Sequence, residues 1–171
     1  DRMAAEGMKF TRAYVSSSVC TPSRYSFLTG RLAGNSHSKL YLEAVGGKET
    51  QGLPNFNVAL ESDNMNVGNI LREAGYTTGF VGKFHLTSKL DFPELYKGKD
   101  GWIDIPKDAK AGPNTSVQFK HNERWMRRYL ETLGFSWAKN VYAENLHSPY
   151  SAHNPEWTTD AALEFIEENR D

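Results

Sequence analysis

The 171-residue sequence predicts an α/β fold, and three observations carry that expectation. Val67, Ile70, Leu71 and Ala74 recur at helical spacing and stop at Gly75, and the strand-like run Tyr76-Thr77-Thr78-Gly79-Phe80-Val81 follows at once. An earlier strand-then-helix pattern opens the chain, with alternating aromatic and branched residues from Lys9 to Val15 ahead of a helical stretch from Ser23 to Thr29. Helices and strands that alternate along a chain belong to α/β layers. The composition, 39% hydrophobic and 24% charged, supplies the core that such layers need.

Taken in order, residues 1–7 fit the end of a helix closed by Gly7, and Lys9 to Val15 read as a strand. Ser16 to Pro22 form a loop rich in hydroxyl residues. Pro22 suits the first turn of the helix that ends at Gly30, which puts Cys20 at a helix N-terminus. Arg31 to Asp63 lack periodicity and read as a long excursion with room for one short element. Asp63, Asn64 and Asn66 are cap candidates for the helix that starts at Val67. Gly82-Lys83-Phe84-His85 lies at the carboxyl end of the strand that follows.

Residues 87–120, with Pro93, Pro106 and Pro113, read as surface loops that could shape a substrate mouth. Asn122 to Leu133 form a helix through Trp125, Tyr129, Leu130 and Leu133, with Gly134 as its stop. Phe135 to Trp157 are expected to be loop. Thr158 or Thr159 caps a last helix whose apolar face is Ala161, Ala162, Phe165 and Ile166. The aromatic set Trp125, Tyr129, Trp157 and Phe165 reads as core.

Charge and hydropathy exclude some partners. Twenty Lys and Arg against 21 Asp and Glu leave a formal charge of -1, which argues against nucleic acid or a membrane surface. No apolar stretch approaches the roughly 20 residues of a membrane-spanning helix. The opening residues, Asp1 to Gly7, lack a signal-peptide layout and read as mid-helix, so the chain is expected to be part of a longer one whose destination stays open. The lone Cys20 cannot form an internal disulfide and is either a small buried hydrophobe or a reactive group.

Its neighbours decide between these. Cys20-Thr21-Pro22-Ser23-Arg24, followed by Leu28-Thr29-Gly30-Arg31, resembles the signature of the type I, formylglycine-dependent sulfatases of the alkaline phosphatase superfamily. The likeness continues in Asp1 to Val15, in Thr158 to Asp171, and in Gly82-Lys83-Phe84-His85-Leu86, where the family writes Trp in place of Phe84. The resemblance implies an alkaline-phosphatase/sulfatase-like sandwich in which residues 1–171 are part of one catalytic domain, truncated at both ends. It implies that a formylglycine-generating maturation enzyme oxidises Cys20 to 3-oxoalanine (formylglycine). The hydrate of that aldehyde attacks sulfur, and its second hydroxyl then expels sulfate.

Arg24, Lys83 and His85 complete the expected catalytic set. A sulfate ester repels anionic nucleophiles, so cations must face its oxygens. Arg24 lies one turn after Cys20 on the same side of a helix, and its planar fork suits an oxyanion. Lys83 and His85, two apart in an extended segment, share one side and can meet Cys20 across strand ends, where α/β sheets place ligands. His85 has the unperturbed pKa nearest neutrality and suits proton handling.

The resemblance further implies a divalent metal, Ca2+ or another, held at position 20 together with an Asp-Asp motif before residue 1 and an Asp-Asn or Asp-His motif after residue 171. This piece alone is therefore not expected to bind metal tightly or to turn over. The expected substrate is a small-molecule or carbohydrate sulfate ester, and the expected location periplasmic, secreted or lysosomal. Rival readings are a phosphonate monoester or phosphodiester hydrolase using the same aldehyde, and a non-catalytic binding homologue. His37, His121, His147 and His153 read as surface or loop residues.

Overall fold

A computed structural model of the chain describes residues 2–48, 52–61, 65–91, 93–97, 100–152 and 154–170. The elements run α1 (Arg2–Glu6), α2 (Cys20–Thr29), a 3-10 turn (Ala33–Asn35), α3 (Lys39–Val45), α4 (Val67–Glu73), β1 (Gly79–Lys83), α5 (Pro93–Tyr96), α6 (Pro113–Thr132), β2 (Trp137–Tyr142) and α7 (Asn154–Glu168). Among the described residues, β1 and β2 pair in parallel as one two-stranded sheet, from Gly79 against Trp137 to Lys83 against Tyr142. Parallel strands need a long crossover, and α5 and α6 provide it.

The two faces of the sheet follow the pleat. A Cβ at Gly79 would come within 2.8 Å of the Phe165 ring, so only glycine lets α7 approach the strand this closely. Trp137 lies 5.1 Å from Phe165, its indole Nε1 donates to Glu168 at 2.9 Å, and Lys139 pairs with Glu164. On the alternate positions Phe80 packs edge-to-face on Phe84 and Phe135, and Phe84 on Tyr129 of α6. Tyr129 stacks on Trp125 at 5.2 Å, and Trp125, Tyr129, Phe84 and Leu86 are fully buried at the centre of the core.

A bulge sits near the carboxyl ends of the strands. Val81 pairs with Lys139 and Gly82 with Val141, so Asn140 is the extra residue, with φ of 53° against 83° at Gly82. Its amide N–H donates to Glu123 Oε1 and its side-chain Nδ2 to the Trp157 carbonyl, each at 2.6 Å. The kink is thereby fixed from α6 and α7 together, immediately before Lys83.

The α/β character expected from the sequence is present, and several boundaries move. Lys9 to Val15 are not a strand: no described strand pairs with them, and Phe10, Tyr14 and Val15 are exposed, which an isolated extended segment cannot offset. The stretch Phe135 to Trp157 holds β2, whose Lys139 and Asn140 interrupt the aromatic and branched pattern. Helix α6 begins at Pro113 rather than Asn122, with proline at its first position. Helix α7 begins at Asn154, and the Thr158 and Thr159 hydroxyls donate to the Asn154 and Pro155 carbonyls inside it instead of capping it.

Helix α2 starts at Cys20 itself, and the excursion from Arg31 carries both the 3-10 turn and α3, the latter capped by Ser38. The strand begins at Gly79 and reaches Lys83. Of the three cap candidates, Asn66 caps α4 in a reciprocal box with Asn69; Asp63 and Asn64 lie outside the described residues. Trp125 and Tyr129 are core as expected, while Trp157 is 37% exposed.

Candidate active site

Helix α2 enters from the hydroxyl-rich loop without a side-chain cap: Val19 precedes it in extended backbone, and its carbonyl accepts from the Ser23 amide at 3.1 Å. Tyr25 and Leu28 bury one face of the helix, and Gly30, at φ of 69°, ends it in the left-handed conformation. Cys20 is therefore the first helical residue, half-buried, at the end where the partial positive charge of the helix collects.

Beyond β1 burial alternates through residue 88, with Phe84 and Leu86 inside and Lys83 and His85 only partly covered. His85 adopts φ of 60°, which turns its ring toward α2. Nδ1 of His85 lies 3.2 Å from Cys20 Sγ and 3.2 Å from Thr21 Oγ1. Lys83 Nζ stands 3.6 Å from Cys20 Sγ and donates to Asn145 Oδ1 at 2.8 Å. Arg24 Nη1 donates to the Lys83 carbonyl at 2.6 Å, tying α2 to the end of β1. Its Nε is buried without a partner among the described residues.

Burial, and after it the Lys83 charge, holds the His85 pKa below its ordinary value of 6.5; Glu144 pulls the other way, and Arg24 adds to the lowering. His85 is thus neutral near pH 7, with Nδ1 aimed at the Cys20 sulfur. Phe56 covers the ring, centroids 5.5 Å apart. The arrangement combines a thiol, an imidazole, a cation and a helix N-terminus, a set that suits an anionic group.

The structure brings Cys20, Lys83 and His85 together. Arg24 stands one turn along α2, with one terminal nitrogen engaged by the Lys83 carbonyl rather than by the thiol. Three contributors were not singled out from sequence: Thr21, Asn145 and Glu144. Thr21 lies within the motif. Asn145 and Glu144 follow β2, and reading Trp137-Ala138-Lys139-Asn140-Val141-Tyr142 as a strand would have placed them beside the end of β1. His121 Nε2 lies 2.6 Å from the Gly101 carbonyl, His37 and His147 are exposed, and His153 lies outside the described residues.

A hard divalent cation takes about six to eight oxygen ligands. Among the described residues, no three His, Cys, Asp or Glu side chains converge as ligands, and the groups facing Cys20 are the neutral imidazole of His85 and the ammonium of Lys83. These residues do not fit a cation site.

The sulfatase family model matches residues 1–167, and the chain belongs to the sulfatase family. It is 33% identical over 124 residues to arylsulfatase G of Canis lupus familiaris, covering 71% of this chain and 21% of that protein. It is 37% identical over 131 residues to N-acetylgalactosamine-6-sulfatase of Mus musculus, covering 68% and 23%. An arylsulfatase of Hemicentrotus pulcherrimus is 41% identical over 88 residues, 50% of this chain and 14% of that protein. The matched part thus spans about a fifth of the length of the first two relatives. Among the described residues no helix is long and apolar enough to cross a membrane.

Proposed function

We propose that the parent protein hydrolyses sulfate monoesters, with Cys20 as the nucleophile precursor and Lys83, His85 and Arg24 around it. The observation that carries this reading is the approach of His85 Nδ1 to within 3.2 Å and Lys83 Nζ to within 3.6 Å of one sulfur at the start of α2. The ester's sulfate sits against Lys83 and the free amides of the helix terminus, where both favour negative charge. His85, kept neutral, accepts the proton of the attacking group through Nδ1. Arg24 positions Lys83 through its carbonyl. Formylglycine at position 20, once installed, supplies a geminal-diol oxygen in place of the thiol and a second hydroxyl that permits sulfate to leave by carbon–oxygen cleavage.

The family resemblance extends the proposal to a calcium or similar ion, for which the oxygen at position 20 would be one ligand and the parent protein would supply the others. It also extends it to an alkaline-phosphatase-like sandwich larger than the two strands described, and to a periplasmic, secreted or lysosomal location. Two measurements on the parent protein test the reaction. Mass spectrometry of the Cys20 peptide, from a host with the maturation enzyme, is expected to find it about 18 Da lighter than the thiol. Aryl sulfate is expected to be hydrolysed in preference to phenylphosphonate. A persistent thiol, or preference for the phosphonate, would replace this reading with one of its rivals.

A further inference from the structure

A cavity of about 200 Å3 opens next to the candidate site, between the residues that follow β2 and the segment 102–109. Asn145 belongs to both: its Oδ1 accepts from Lys83 Nζ, which in turn faces Cys20, and its remaining amide group has no partner among the described residues. Trp102, Phe119, Tyr142 and Tyr150 supply aromatic surface to the lining, beside aliphatic residues such as Ile105 and Leu146. Trp102 stands edge-on to the buried Trp125 at 5.3 Å, and Phe119 and Tyr150 contact each other at 4.6 Å. The segment carrying Trp102 is pinned, because Asn122 accepts from the Ile103 amide at 2.9 Å and donates to the Ile103 carbonyl at 2.7 Å. Asp104 and Glu144 add carboxylates, beside the ammonium of Lys107 and the imidazole of His147.

We infer that this cavity receives the alcohol part of the ester and selects a single neutral sugar ring; the inference rests on the sulfatase reading above. A group held at Cys20 and Lys83 directs its leaving oxygen past Asn145 into the cavity. The volume is below the roughly 300–1,000 Å3 that hold drug-sized ligands, so it admits one ring and not a chain of them. Aromatic faces suit the C–H faces of a sugar, and Asp104, Glu144 and Asn145 suit its hydroxyls. An apolar polycyclic alcohol would leave those polar groups without partners. A uronate would bring a carboxylate against two others.

The test uses the parent protein in its mature form, with three probes: a neutral monosaccharide sulfate, a uronate sulfate, and inorganic sulfate as an inhibitor that occupies the anion site alone. Trp102→Ala and, since Trp102 leans on the core, the loop variant Tyr150→Ala are expected to raise KM for the neutral sugar sulfate about tenfold, with the inhibition constant of sulfate ion within about twofold. Asp104→Asn is expected to narrow the preference for the neutral ring over the uronate. Equal changes for ester and sulfate ion in both aromatic variants, or no change for either, would overturn the cavity assignment. So would a wild-type preference for the uronate. Cys20→Ala separates the two levels: if it abolishes turnover while the cavity variants behave like wild type, the hydrolase reading stands and the cavity assignment falls.

Discussion

His85 and Lys83 carry the most specific consequences at the residue scale. A histidine whose native pKa lies below its unfolded value is favoured in the neutral form by folding. That stabilisation is complete above the ordinary value of 6.5 and is lost as pH falls through it toward the native pKa. His85→Gln is therefore expected to flatten the loss of stability between about pH 7 and pH 5, read by denaturant melts at each pH. In an NMR titration, Glu144→Gln should lower the His85 pKa further and Lys83→Met should raise it; movement in the opposite directions would contradict the assigned causes. In the parent protein Lys83→Ala is expected to cost about a hundredfold or more in kcat/KM, the scale of losing one donor to developing negative charge.

How far the site could be read at this scale depended on where its parts sit in the chain. Cys20 and Arg24 lie four apart in one motif, and Lys83 and His85 two apart in another, so each pair could be singled out locally. Asn145 and Glu144 approach only because β1 and β2 pair, a contact between distant segments that local pattern does not encode. The side-chain conformation of Arg24 was equally hidden, since its partner is a backbone carbonyl on another element.

The elements that hold these residues have their own weak points. Asn66 is fully buried and accepts from Gly68 N at 2.8 Å and Asn69 N at 3.4 Å, while its own amide donates to Asn69 Oδ1 at 2.8 Å. Asn66→Ala should cost about 1 kcal/mol of unfolding free energy. Gly134 has φ of 95°, and a Cβ there would lie 2.3 Å from the Asn69 amide nitrogen, so Gly134→Ala should exceed that loss, by about 1–3 kcal/mol for the backbone strain alone. An urea titration of each variant checks the order. Both positions were readable from sequence, as a cap and a stop. The β2 strand was not, because a short segment with Lys139 and Asn140 at its centre gains its identity from the neighbour it pairs with.

Across the whole molecule, one aromatic core spans the sheet and α6, and Lys83 and His85 stand where β1 ends, facing Cys20. Trp125→Ala removes the largest fully buried side chain and should cost about 3–5 kcal/mol, a large part of an ordinary domain's stability, by thermal or denaturant unfolding. The helix–strand alternation was legible because periodicity is local; the strand expected from Lys9 to Val15 was not realised, because pairing is not. We propose that position 20 performs the chemistry. Hydrolysis of an aryl sulfate by the intact parent protein, wild type against Cys20→Ala, measures it most directly. A loss of at least about a thousandfold in kcat is predicted, on the scale of removing a nucleophile; an unchanged rate would contradict the account.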